Sequence, residues 1–165
     1  MIRGHVIKYG DNIDTDVILP GRYLTRFDLK HLARHCMEGL DPDFLKKKKP
    51  GDIIVAGSNF GCGSSRELAP VAIKAADISC IIARSFARIF YRNAINIGLM
   101  IFECPEAAEA LQEGDEIEVD SEQGLIRNVS GRGSYEAIPL PALVRRIIDD
   151  GGLIDFVKRR LKEKE

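Results

Sequence analysis

The four cysteines of this chain stand far apart. Cys36, Cys62, Cys80 and Cys104 never form C-x-x-C, so the spacings of zinc and dithiol-redox sites are missing. Also missing is any run of eighteen apolar residues, and the opening MIRGHVIKYGDN carries no apolar h-region. Neither a membrane span nor a signal peptide is expected, and the protein is expected to be cytoplasmic. An excess of charge of either sign is absent too. The net charge of −1 leaves neither nucleic acid nor an anionic membrane favoured as a partner. No repeat, linker or low-complexity tract interrupts the sequence. What is present is 165 residues, 45% apolar and 30% charged, enough for one domain, 1–165, with one sizeable core. In a reducing compartment the cysteines are expected to be small buried hydrophobes.

The stretch that carries chemistry is GSNFGCGSSREL, Gly57 to Leu68. It follows an apolar run, Ile53 to Ala56, that reads as a buried strand, and precedes Leu68, Val71, Ala72 and Ala75 at helical spacing. A strand ending in glycines that opens a helix leaves backbone N–H groups pointing outward, a ready place for an anion. Ser64, Ser65 and Arg66 add two hydroxyls and a guanidinium there. The same residues also match a capping box, Ser64-x-x-Glu67, which would do no chemistry. Pro70 weakens that reading, because proline is tolerated mainly in a first turn, so Ser64 to Ala69 either forms a separate turn or bends the helix. A Walker loop is disfavoured by the missing lysine. Cys62, between Gly61 and Gly63, is a third possibility as a nucleophilic thiol, with no histidine near it in sequence.

Around this loop the pattern predicts a strand at Ile2 to Tyr9 and a close acidic pair, Asp14 and Asp16. An exposed loop follows at Arg22 to Phe27, then a helix from the N-cap Asp28 to Gly39. His31 and His35 sit at i, i+4 on that helix, but no third metal ligand is suggested nearby. Lys46 to Lys49 reads as a solvated basic corner. Further apolar strands are expected at Ile78 to Ala83 and Gly98 to Phe102, spaced by a helix with a buried stripe of Phe86, Ile89, Phe90 and Ile97. A short helix at Pro105 to Gln112, a hairpin of Glu116 to Asp120 with Gly124 to Val129, and two terminal helices complete the chain. Strands apolar throughout and spaced by helices argue for a parallel sheet covered on both faces, here with an antiparallel patch in one α/β domain.

Four segments carry a resemblance: GDNIDTDVILPGRYL at Gly10 to Leu24, GSNFGCGSSRE at Gly57 to Glu67, SFARIFYRNAINIG at Ser85 to Gly98 and GGLIDFVKRR at Gly151 to Arg160. With these the chain resembles the small subunits of the isopropylmalate dehydratase and homoaconitase group, similar to the mobile C-terminal domain of aconitases. The resemblance implies a swivelling three-layer β/β/α domain with a parallel central sheet and a smaller antiparallel layer. It implies no cofactor in this chain and a [4Fe–4S] cluster in a partner large subunit, whose open iron binds the substrate hydroxyl and carboxylate. Carried over by position, Ser64 would be the catalytic base. Ser65 and Arg66 would hold the substrate carboxylate, Arg26 and Thr25 would meet the substituent, and Asp16 and Gly63 would support. Leu68 departs from relatives that often carry histidine there.

On this resemblance the expected reaction is dehydration and rehydration interconverting 2- and 3-isopropylmalate in leucine biosynthesis, in a heteromer inactive without its large subunit. Arg26 keeps homoaconitase, or a hydro-lyase for another substituted malate, as the alternative. A non-catalytic anion- or nucleotide-binding module with Ser64 as a mere cap, and a cysteine enzyme centred on Cys62, are the alternatives of other classes.

Overall fold

The computed structural model describes residues 1–163. Its frame is a seven-stranded sheet. The strands are β1 (Ile2–Lys8), β2 (Ile53–Ala56), β3 (Cys80–Ala83), β4 (Met100–Glu103), β5 (Glu116–Asp120), β6 (Leu125–Asn128) and β7 (Ser134–Glu136). They lie in the order β4-β3-β2-β1-β5-β6-β7. Strands β1 to β4 are parallel, with Val6 opposite Ile53, Ile53 opposite Cys80 and Cys80 opposite Met100. From β1 onward the pairing is antiparallel, with Ile2 opposite Val119 and Asp120 opposite Leu125.

The residues explain this division. β2 and β3 read IIVA and CIIA and are buried at every position, as central parallel strands covered on both faces must be. β5 alternates instead, burying Ile117 and Val119, which suits a sheet with one wet face. β1 belongs to both halves, so the antiparallel strands continue the parallel sheet. β7 had no signal in the sequence because SYE is too short to show a period.

Two cores result. One face of the parallel half packs Ile54, Ala56, Ile81 and Ala83 against helices, burying Leu32, Ala72, Ile73, Phe90 and Ala94. The other face joins Val6, Ile53, Val55, Ile82 and Phe102 to Ile117, Val119 and Ile126 of the antiparallel half. The sheet therefore curls so that its two halves share an interior, giving the β/β/α layering. Each fully buried Ile or Phe contributes about 1.5–3 kcal/mol.

The helices are α1 (Thr15–Ile18), α2 (Leu29–Arg34), α3 (Phe44–Lys47), α4 (Leu68–Ala75), α5 (Arg88–Asn96), α6 (Pro105–Ala110), α7 (Ala142–Asp149) and α8 (Leu153–Lys162). Three expectations need correcting. α2 ends at Arg34 and gives way to turns, and Met37 adopts φ 61°. The loop after Pro20 contains a 3-10 turn, Gly21–Tyr23. Ile89 is 49% exposed, and the buried face of α5 is Phe90, Ala94 and Ile95. The basic corner is compensated locally, since Lys46 and Lys47 pair with Asp43 and Asp41.

Candidate functional site

The stretch Gly57 to Arg66 lies between two other segments and is stitched to both. On one side it runs beside Gly10 to Thr15. The Gly57 amide donates to the Gly10 carbonyl, Asn12 to Ser58, Gly61 to Ile13 and Thr15 to Cys62, at 2.8–3.0 Å. The Thr15 hydroxyl donates to the Ser64 carbonyl at 2.8 Å. On the other side Phe60 donates to the Ser85 carbonyl and accepts from the Ala87 amide, while the Asn59 amide donates to the Ser85 hydroxyl at 2.9 Å. Three motifs distant in sequence thus meet at the carboxyl ends of β1, β2 and β3, where open α/β sheets collect ligands.

Glycine is required at two points. Gly61 has φ +80°, and an added Cβ would stand 2.5 Å from Cδ2 of the buried Phe90. Gly63 has φ +86°, and a Cβ there would stand 2.7 Å from Cγ and Oδ1 of Asp14. That carboxylate is already committed, because it caps α1 by accepting from the Asp16 amide at 2.7 Å. The loop passes the Asp14 cap so closely that no side chain fits between them.

The capping-box expectation fails. α4 starts at Leu68, its N-cap is Glu67, and no side chain caps it. Instead Ser64 to Ala69 makes a turn of its own, with Arg66 donating to the Ser64 carbonyl and Ala69 to the Arg66 carbonyl. Pro70 falls in the first turn of α4, where no N–H is needed. Ser64 and Ser65 are exposed. Neither their hydroxyls nor the amides of Gly63, Ser64 and Ser65 have a hydrogen-bond partner among the described residues. Arg66 behaves differently. Its guanidinium is largely covered, donates to the Leu19 carbonyl at 2.8 Å and pairs with Asp16.

Cys62 is half-buried, and its thiol is pushed up by burial and by the nearby Asp14 carboxylate. That is the reverse of what activates a nucleophilic cysteine. Cys36, Cys80 and Cys104 are buried. Burial pushes the Cys36 and Cys80 thiols well above the ordinary range, which suits inert packing. Among the described residues, His31 and His35 belong to no group of three or more metal-ligating side chains. They pack on Tyr23, whose ring stacks on His35 at 3.6 Å between centroids.

The remaining predicted residues lie on the segment after Pro20. Thr25 and Arg26 are exposed, and Arg26 has its one ion-pair partner among the described residues in Asp28, at 3.4 Å. Asp16 and Arg66 are joined by direct contact beside the Gly63–Ser65 turn; among the described residues no polar contact joins Thr25 or Arg26 to this group, and only the turn before them, at Gly21, comes close to Arg66. The sequence reading missed Arg88 and Arg92. With Asn59, Gly61, Gly63, Ala87 and Ile89 they line a hollow of about 450 Å³ beside the loop. Their spacing of i, i+4 directly after Ala87 was the available signal, but its meaning depended on Ala87 bonding to Phe60.

The model of the aconitase C-terminal domain family matches residues 10–107, more than half of the chain. The chain is 58% identical over 156 residues to the 3-isopropylmalate dehydratase small subunit of Brachyspira hyodysenteriae, covering 94% of this chain and 96% of that one. It is 58% identical over 161 residues to the protein of the same name from Caldanaerobacter subterraneus, covering 98% and 100%. The chain belongs to the 3-isopropylmalate dehydratase small subunit family. A solved structure, described as 3-isopropylmalate dehydratase (leuD) from Methanocaldococcus jannaschii, superposes with a TM-score of 0.94 at 46% identity, covering 99% of this chain and 96% of that one. The aconitase C-terminal match begins at Gly10 and spans all three stitched segments, Gly10 to Asp16, Gly57 to Arg66 and Ser85 to Ala87.

Proposed function

We propose that the chain is the small subunit of a two-chain hydro-lyase that interconverts 2- and 3-isopropylmalate by dehydration and rehydration in leucine biosynthesis. The observation that carries this reading is the Gly63–Arg66 turn. It presents two hydroxyls and three amides that have no partners among the described residues, beside a fixed guanidinium, on a chain so similar to proteins bearing that name.

This chain's own residues do not fit a [4Fe–4S] cluster. Three cysteines are enclosed in the two cores, and no group of three or more His, Cys, Asp or Glu side chains converges among the described residues. We assign the cluster to a large subunit, where it would supply Lewis-acid chemistry at the substrate hydroxyl. What this chain contributes is the other side of the cleft. The Ser64 oxygen takes the proton beside the substrate carboxylate. The Ser65 hydroxyl, the free amides and the uncommitted N–H groups of Arg66 hold that carboxylate. Asp16 and the Leu19 carbonyl fix the guanidinium in place.

The demand on Ser64 is severe, because the base is its alkoxide. Each tenfold gain in alkoxide population takes about 1.4 kcal/mol. The dipole of α4 supplies little, since it falls off beyond the first turn and Ser64 stands outside it. Hydrogen bonds from amides to a charged oxygen supply about 1.5–3 kcal/mol each. Water must therefore be excluded by a partner face, because an exposed turn cannot hold an alkoxide. The isolated chain is accordingly expected to be inactive, and turnover by it alone would remove the proposal.

The deciding experiment mixes the chain with a cluster-bearing large subunit and assays isopropylmalate, then repeats the assay with Ser64→Ala. Loss of turnover with assembly intact supports the base. Unchanged turnover rejects it and returns the site to a plain anion-binding module. Exposed Arg26 gives homoaconitate a specific claim as an alternative substrate. Arg26→Leu should then lower turnover of that tricarboxylate far more than that of isopropylmalate.

A further inference from the structure

Glu38 lies outside every motif considered so far, yet three groups converge on its carboxylate. Oε1 accepts from the Arg22 guanidinium at 2.9 Å and from the Tyr23 hydroxyl at 2.8 Å. Oε2 faces Nδ1 of His35 at 2.5 Å. The Arg22 guanidinium stands over the Tyr23 ring, 4.6 Å from its centroid, the His35 ring stacks on it at 3.6 Å, and His31 meets its edge at 5.6 Å. Arg22 and Tyr23 form the last part of the turn from which Leu24, Thr25, Arg26 and Phe27 extend.

The carboxylate is itself anchored from both sides in sequence. The Met37 amide donates to the Ile18 carbonyl at 2.7 Å, and the Gly39 amide to the Val17 carbonyl at 3.2 Å. A Cβ on Gly39 would stand 2.8 Å from the Val17 Cα, so the chain crosses α1 in direct backbone contact. α1 is the helix whose start, Asp14 and Thr15, grips Gly63 and Ser64. A continuous route of short contacts therefore runs from the Ser64 turn through α1 and Glu38 to Tyr23. A second route runs beneath it. Arg66 holds the Leu19 carbonyl, and its Nη2 would stand 3.3 Å from a Cβ on Gly21, the first residue of the same turn.

We infer that Glu38 is a positioning residue, which fixes the stem of the Leu24–Phe27 segment relative to Ser64 and thereby sets which substituent the segment can meet. The stem is clamped on two faces, by Glu38 and by Arg66. Between the stem and the Asp28 cap of α2 the segment is exposed and, among the described residues, has no hydrogen bonds to the body of the protein, so its direction follows from its ends. A salt link here is more than surface decoration because one carboxylate satisfies three donors, and the ring of one of them, Tyr23, is stacked on His35 and met at its edge by His31. The selectivity arm of the test rests on the dehydratase reading; the hydrogen-exchange arm does not.

The experiment compares the wild type with Glu38→Ala, Glu38→Gln and Tyr23→Phe. In the full chain, amide exchange at Tyr23 and Leu24 should accelerate about tenfold in Glu38→Ala while β2 and β3 stay protected. In the complex reconstituted with a large subunit, the ratio of kcat/KM for isopropylmalate to that for homoaconitate should shift about fivefold, carried by KM, and Tyr23→Phe should shift it the same way by less. Glu38→Gln, which keeps the acceptor for Tyr23 but loses the charge facing Arg22 and His35, should fall between wild type and alanine. Unchanged exchange at the stem overturns the inference. So does a loss of thermal stability, or an equal loss with both substrates, that leaves the ratio where it was. If the wild-type complex turns over neither substrate, the functional reading falls, and the exchange data still decide whether Glu38 holds the stem.

Discussion

Replacing Gly63 by alanine tests whether the Ser64 turn is held by the acidic cap of α1. The residue has φ +86°, and the new Cβ would sit 2.7 Å from Cγ and Oδ1 of Asp14. The left-handed backbone costs about 1–2 kcal/mol for a residue with a Cβ. Displacing Asp14 from the Asp16 amide removes an N-cap worth about 1 kcal/mol. The sum, about 2–3 kcal/mol, corresponds to about 4–12 °C in Tm for a chain of this size. Gly114→Ala is the control, since it has φ +84° and nothing within 4 Å of the added atom. It should cost only the backbone component. Thermal unfolding of the two variants separates strain from collision, and a cycle with Asp14→Ala isolates the collision, which must shrink once the carboxylate is gone. If Gly63→Ala is no worse than Gly114→Ala, or if its effect adds simply to that of Asp14→Ala, the supposed contact does not constrain the turn. Activity should fall further than stability, because the atom that moves carries Ser64.

Ser64→Ala should leave stability within about 0.5 kcal/mol, as for a surface position that caps nothing, while turnover of the reconstituted complex falls about 10²–10⁴-fold, the usual worth of a positioned base. Denaturant unfolding and steady-state kinetics check the two halves. Arg66→Ala should cost about 1.5–3 kcal/mol in denaturant unfolding through the uncovered Leu19 carbonyl and the lost charged donors. Asp16→Ala should cost less than about 1 kcal/mol, because that carboxylate is mostly exposed. Cys62→Ser should retain turnover; inactivation would revive the cysteine mechanism. Hydrogen bonding from His35, then from Tyr23 and Arg22, outweighs burial and holds the Glu38 carboxyl below its ordinary range. An acid with a depressed folded pKa stabilises the protein above its unfolded value, about 4.3, and loses that contribution as pH falls through the folded value. Wild type should therefore lose stability below about pH 4.3 more steeply than Glu38→Gln, as read from urea midpoints against pH.

Sequence alone determined the elements whose cause is local. IIVA and CIIA read as buried strands, because a short run that is apolar at every position leaves no face for water. Asp28 was legible as a cap, since an aspartate before a helical period has one common use. The glycine-rich turn with Ser64, Ser65 and Arg66 was legible as a candidate site, because loops of that composition are rarely needed for packing alone. Tertiary structure decided everything that depended on which distant segment lay alongside. Ser64-x-x-Glu67 looked like a cap because the pattern is local, whereas Thr15, 49 positions away, claims the Ser64 carbonyl and helps draw the turn out of the helix. Ile89 fitted a buried stripe by spacing, yet the hollow beside Arg88 and Arg92 leaves it uncovered. Glu38 carried no signal at all, because a carboxylate shows its role only through the groups that the fold brings to it. Periodicity records the water-facing and core-facing sides of one element; the partners of a polar group are set by chain crossings that no short window contains.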